Sequence, residues 1–213
     1  GFTVPLRPSL GLALELVRHP GWTLQVARHG APRTQHFVQA GKASSVNSLG
    51  RLAASNMDAS VTWDDIRWLR DQWPGPLVIK GVLGAEDAAM AVDAGAQAVL
   101  VSNHGGRQLD GTPSTLSALR EVVAAVGGRA ELYMDGGVRQ GADLAKVVAL
   151  GATAAAVGRA TLYGVAAGGE AGARQALSIL HTEYDRCLAL LGCATTRGLD
   201  TSYLRPPRSR GPS

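Results

Sequence analysis

The stretch "ELYMDGGVRQGADLAKVVALGATAAAVGRAT", residues 131 to 161, decides the fold. It opens on a strand-like run, "ELYMDGG" (131 to 137), continues through a helical run, "GADLAKVVALG" (141 to 151), and returns to a strand, "TAAAVG" (153 to 158). A glycine-bearing junction with an arginine follows each strand: "DGGVRQG" (135 to 141) and "VGRAT" (157 to 161). Glycine lets backbone N–H groups approach a ligand closely, and a helix start offers unpaired N–H groups and a favourable dipole. Two such junctions in succession, with Arg139 and Arg159 beside them, predict a phosphate site at the C-terminal ends of adjacent parallel strands.

The same beat extends upstream. "WDDIRWLRDQW" (63 to 73) reads as a helix capped by Thr62, and "PLVIKG" (76 to 81) as a strand too short to be a helix. "AEDAAMAVDAG" (85 to 95) is a helix, "AVLVSN" (98 to 103) a strand, and "PSTLSALREVVAAVGG" (113 to 128) a helix with proline at its start and glycine at its end. Downstream, residues 161 to 192 read as two helices split at Gly168-Gly169. Alternating strands and helices imply an α/β fold of parallel strands with right-handed crossovers. The phosphate site of a TIM (β/α)8 barrel frequently follows strands 7 and 8. On that alignment this chain supplies about strands 5 to 8: either it is a free-standing half with the same motifs, or strands 1 to 4 are supplied elsewhere or have been lost.

Composition narrows the class. With 213 residues, 46% hydrophobic, the chain can bury one core, and 27 glycines with 5% aromatics suit tight α/β turns rather than a sandwich. The net charge of +4 resides in residues 1 to 60, which hold six Lys/Arg against two acids. No basic stripe alternates with aromatics, so no nucleic-acid partner is expected. Cys187 and Cys193 suit reduced core thiols and a reducing compartment, and no metal site is expected. No apolar run approaches the ~20 residues of a membrane span, and the start lacks the pattern of a signal peptide.

"VIKGV" (78 to 82), "SNHGGRQLD" (102 to 110), "DGGVRQG" and "GRATLYG" (158 to 164), in this order and spacing, resemble the FMN-dependent α-hydroxy acid dehydrogenase and oxidase family. The resemblance covers residues 1 to about 204; "GFTVP", "HPGW", "ARHGAP" and "MDASVTWDDIRWLRDQWP" look closest to its membrane-associated, mandelate-oxidising branch. It implies FMN as cofactor and oxidation of an (S)-2-hydroxy acid, mandelate- or lactate-like, to the 2-oxo acid. His104 matches the family's base, a role that suits an imidazole because the group titrates near neutral pH. Arg107 matches the clamp on the substrate carboxylate, and Gly105 and Gly106 let the backbone turn between the two.

The resemblance also assigns the cofactor contacts. Lys80 matches the lysine beside flavin N1 and O2, where negative charge builds on reduction. Ser102 matches a flavin-contacting hydroxyl, Asp135, Gly136, Gly137, Val138 and Arg139 the ribityl and phosphate loop, and Gly158 with Arg159 the phosphate end.

Each assignment has a plainer rival. A lone histidine after a strand is ordinarily a turn or packing residue, and Lys80 alone would be a solvated strand end. "DGG" alone is a common turn, and Arg139 and Arg159 taken singly are ordinary surface charges. The linked motifs favour function. Another FMN barrel, of the type 2 isopentenyl diphosphate isomerase class, shares the phosphate loops but does not need Arg107 beside a base. His19, His29, His36 and His181 have no ligand-like spacing.

Three segments follow: 1 to 60, an insertion after strand 4; 61 to 204, the C-terminal half of the FMN-binding barrel; and 205 to 213, a disordered tail. "SLGLALELVRHPGWTLQVARHGAP" (9 to 32) reads as two short helices broken at Pro20-Gly21. Its leucines and arginines make either an amphipathic surface for peripheral membrane contact or a loop over the barrel mouth. The expected location is cytoplasmic, in the first case on the inner face of the membrane. The expected partners are a small 2-hydroxy acid, an N-terminal half barrel or longer parent chain, and further copies of the chain in a homo-oligomer. The alternative is a truncated or split half barrel that binds FMN or phosphate without turnover.

Overall fold

The computed structural model describes residues 9–30, 55 and 58–205. The chain divides into two compact units, Gly1–Val61 and Thr62–Ser213. Most of the segment between residues 31 and 57, and the tail beyond Arg205, lie outside the described residues.

In the first unit, α1 (Leu10–Arg18) and α2 (Pro20–His29) follow one another across His19. Pro20 opens α2, where its missing N–H costs nothing, so the break falls just before the proline. Ser9 caps α1 by accepting from the Leu12 N–H, and the Thr23 hydroxyl donates to the Leu16 carbonyl at 2.8 Å, tying the helices together. Leu10, Leu14, Val17, Trp22 and Leu24 are exposed.

The second unit begins with α3 (Trp63–Gln72), where the Asp65 carboxylate accepts from the Thr62 N–H and hydroxyl, both at 2.7 Å. There follow β1 (Val78–Val82), α4 (Ala85–Asp93), β2 (Ala98–Val101), α5 (Thr115–Val126), β3 (Glu131–Met134), α6 (Gly141–Ala149), β4 (Ala154–Ala155) and α7 (Arg159–Leu191). All four strands are parallel and each pairs with its sequence neighbour, in the order β1-β2-β3-β4. The expected helix break is present, with Gly168 and Gly169 outside helical geometry within α7. β2, β3 and β4 are shorter than the runs that signal them, because the last residues of those runs turn into the loops, whereas β1 starts two residues into its run and extends to Val82.

Side-chain alternation explains which face is covered. Ile79, Val99, Val101, Leu132, Met134 and Ala155 point one way, into a core with Ala88 and Ala91 of α4, Leu119 and Val122 of α5 and Val147 of α6. Val99, Val101, Leu119, Val122 and Val147 are fully buried, each contributing about 1.5–3 kcal/mol. On the opposite face Val78, Lys80, Glu131 and Ala154 are exposed. There Tyr133 donates to the Glu131 carboxylate, a bond that raises the phenol pKa above its ordinary value.

Consecutive strand order with helices on one face is the winding of a barrel. A doubly wound sheet reverses its order and carries helices on both faces. Parallel sheets are ordinarily covered on both faces, so the open side and the outer edges of β1 and β4 are surfaces that suit further strands. A second, smaller core joins Ala145 and Ala149 of α6 to Cys193 and Leu199. Cys187 and Cys193 are free thiols, the latter buried.

Candidate active site

The site forms where the strands end. In β1 the register runs Lys80↔Leu100 and then Val82↔Val101, so Gly81, at φ +99°, is a bulge. The extra residue keeps Lys80 on the open face while returning Val82 to the core, 5% exposed. The Lys80 ammonium donates to the Ser102 hydroxyl at 2.9 Å and pairs with the Asp135 carboxylate from the end of β3.

Ser102, 2% exposed, is the centre of this cluster. Its hydroxyl accepts from Lys80 and from the His104 N–H at 3.1 Å, and donates to Asp135. One donor and two lone pairs are thus all in use.

His104 follows with φ +55°, the sole described non-glycine residue in left-handed backbone. Strain of this kind, about 1–2 kcal/mol, persists where surrounding structure holds it, and it clusters at functional sites. Two bonds hold it here. The Ser102 hydroxyl fixes the His104 N–H, and the Asn103 side chain accepts from the Gly105 N–H at 3.0 Å. Arg159, from the start of α7, donates to the Gly105 carbonyl at 2.9 Å.

The loop after β3 presents Gly136 and Gly137, at φ +87° and +84°. Any side chain on Gly136 would meet Asn103 Oδ1 at 2.9 Å and Thr115 Oγ1 at 3.3 Å, so the two loops touch here through a missing Cβ. Val138 is 7% exposed and anchors the loop in the core. The Arg139 and Gln140 N–H groups are taken by the Asp143 carboxylate at 3.1 Å each, which caps α6.

These loops enclose a cavity of about 790 Å³, within the usual range for small-molecule sites. Lys80, His104, Arg107, Asp135, Gly136, Gly137, Val138, Arg139, Gly158 and Arg159 all line it. Of the sequence-predicted site residues, only Ser102 lies behind the wall, holding Lys80, Asp135 and His104 in place. Three arginines and a Lys80–Asp135 pair leave the cavity strongly cationic, suited to an anion. Gly136 and Gly137 of one loop and Gly158, Arg159 and Ala160 at the start of α7 line the same space, and the unpaired N–H groups of a helix's first turn suit a phosphate.

Sequence reasoning missed Asn103, Thr115 and the part of Arg159 that reaches the His104 turn. Asn103 reads only as one letter of a motif, and Thr115 as a helix start. Their partners, Gly105 and Gly136, lie two and twenty-one residues away, the second across a helix. His19 makes an exposed contact with Glu15 in the first unit, and His181 one with Asp185 in the second.

A cationic cavity at the C-terminal ends of barrel-type strands is where barrels of this architecture ordinarily hold a phosphate-bearing ligand. A sequence profile of the FMN-dependent dehydrogenases matches residues 1–206, and the chain belongs to that family. It is 43% identical over 204 residues to (S)-mandelate dehydrogenase of Pseudomonas putida, covering 96% of this chain and 51% of that protein. It is 50% identical over 151 residues to an L-lactate oxidase of Nostoc sp., covering 71% of this chain and 41% of the other. A crystal structure described as the monotopic membrane protein (S)-mandelate dehydrogenase superposes with a TM-score of 0.90 at 43% identity, over 95% of this chain and 54% of that one.

The fold is therefore of TIM-barrel type. The chain spans about half the length of the curated relatives it matches. The residues present fit the family's FMN: the glycine cradle at Gly136, the guanidinium groups of Arg139 and Arg159 with the first turn of α7, and an ammonium at Lys80 are the groups a flavin phosphate and ring would need.

Proposed function

We propose that the complete protein oxidises a small (S)-2-hydroxy acid, mandelate- or lactate-like, to its 2-oxo acid with FMN, and that this chain supplies strands 5 to 8 of the barrel. The observation that carries the reading is the convergence of His104, Arg107, Lys80 and the two phosphate-type loops on one cavity. Bound FMN would accept the two electrons that leave the substrate's α-carbon.

The chain's own residues do the rest. Arg107 clamps the substrate carboxylate with its planar fork, which orients the α-carbon. His104, held by its backbone bond to Ser102, takes a substrate proton onto an imidazole nitrogen. Lys80 places positive charge where the flavin ring gains negative charge, and Ser102 and Asp135 fix its ammonium. Gly136, Gly137, Val138, Arg139, Gly158 and Arg159 hold the ribityl and phosphate groups.

The exposed Leu10, Leu14, Val17, Trp22 and Leu24 of α1 and α2, with Arg18 and Arg28, suit peripheral contact with an anionic membrane. The solved mandelate dehydrogenase described as monotopic supports this. No described helix is long and apolar enough to cross a membrane.

The open sheet face and half-length coverage favour a second reading, in which this polypeptide alone holds FMN without turnover. One experiment separates the two. The protein is loaded with FMN, and its visible flavin band is followed on anaerobic addition of (S)-mandelate or (S)-lactate. Bleaching supports the enzyme; a bound band that stays oxidised with both acids supports the second reading; failure to retain FMN rejects both for this polypeptide alone.

A further inference from the structure

Among the described residues of the second unit, Ser102 and Thr115 are the buried polar side chains, each 2% exposed. Ser102 belongs to the cluster already described. Thr115 is distant in sequence from the cofactor loops, does not line the cavity, and matches no part of the motifs that identify the family.

Its geometry nevertheless points at the site. Thr115 is the first residue of α5, one position after the Ser114 cap, which accepts from the Ser117 N–H at 3.2 Å. The Thr115 hydroxyl turns the other way and donates to the Gly136 carbonyl at 3.0 Å. Gly136 thus takes a hydrogen bond from Thr115 and lies against the Asn103 amide, whose oxygen is 2.9 Å from the place its Cβ would occupy. The same amide oxygen accepts from the Gly105 N–H and so sets the turn that carries His104. A continuous path of contacts runs Thr115, Gly136, Asn103, Gly105.

We propose that Thr115 is a positioning residue: its buried hydroxyl locks the FMN-side loop after β3 against the base-bearing turn after β2, fixing the flavin and His104 relative to one another. The inference rests on the proposed reaction for the role of His104, but not for its effect on FMN. Removal of the hydroxyl orphans the Gly136 carbonyl and lets the glycine cradle shift. Because the turn that carries His104 rests on that cradle, loosening moves the base as well as the cofactor.

The test compares Thr115→Val, close in shape but without the hydroxyl, with Thr115→Ser, which keeps it, in the complete protein. FMN affinity is read by quenching of flavin fluorescence on titration, and reaction by single-turnover bleaching with (S)-mandelate or (S)-lactate and by the split between kcat and KM. Thr115→Val is expected to weaken FMN binding about tenfold, the effect of one orphaned buried acceptor, and to lower kcat with KM little changed. Thr115→Ser is expected to stay within about twofold of the parent on both. Should the valine variant not fold, Thr115→Ala makes the same comparison.

The proposal is overturned if loss of the hydroxyl lowers thermal stability but leaves FMN affinity and kcat unchanged, or if serine is as impaired as valine. If the unmutated protein binds FMN but neither acid bleaches it, the proposed reaction fails. The FMN titration then decides the lock by itself.

Discussion

Gly136→Ala is the sharpest probe of how the two loops meet. The substitution carries two separable penalties. At φ +87° a Cβ is strained whatever surrounds it, by about 1–2 kcal/mol. The new methyl also lies 2.9 Å from Asn103 Oδ1, too close to remain, so the amide must move and release the Gly105 N–H at a cost of about 1 kcal/mol. The sum is about 2–3 kcal/mol of stability.

In an Asn103→Ala background the second penalty has already been incurred. There Gly136→Ala should cost only the backbone strain, leaving a coupling of about 1 kcal/mol in the double-mutant cycle. Urea unfolding of the four proteins, extrapolated linearly to water, measures it. If the two substitutions add to within about 0.3 kcal/mol, the contact between the loops does not exist as described.

Three further outcomes follow from the same geometry. His104→Gly should raise stability by about 1 kcal/mol, since glycine tolerates φ +55°, while abolishing substrate-driven bleaching of bound FMN; a thermal melt and an anaerobic titration read the two effects. Arg107→Lys should lower kcat/KM about 10- to 100-fold through loss of the bidentate clamp, with FMN affinity unchanged in a fluorescence titration. Gly141→Ala would press a methyl onto the backbone of Glu183 and Tyr184 in α7 and should cost about 3 kcal/mol in urea unfolding.

The β/α beat, the parallel direction and the helix break at Gly168-Gly169 were legible because each is written in local pattern and turn chemistry. The residues that line the cavity were legible because linked motifs carried them. What stayed hidden was pairing across sequence distance. Nothing local in "VIKGV" announces that Gly81 bulges to re-aim Val82, or that Lys80 pairs with Asp135 across two strands. Ser102 illustrates the limit best. As a motif letter it reads as a flavin contact, yet in the fold its hydroxyl is fully engaged with Lys80, Asp135 and the His104 N–H. The sequence names the participants, but burial decides which of them face the cavity.

The neighbour-by-neighbour order of β1 to β4 bears on how the chain folds. Every strand pairs with the strand one helix away, so each β–α–β step closes a loop of a few tens of residues, and loop-closure entropy grows only slowly over that range. Ladder formation between β2 and β3 need not wait for distant segments, and the buried Val99, Val101, Leu132 and Met134 lie in that pair. Their amides should therefore be the slowest in the second unit to exchange with deuterium, and those of β4, bonded on one side, among the faster. The His104 turn and the Gly136–Gly137 loop follow directly from these two strands, so the frame that aligns them would be set early and persist through local opening elsewhere.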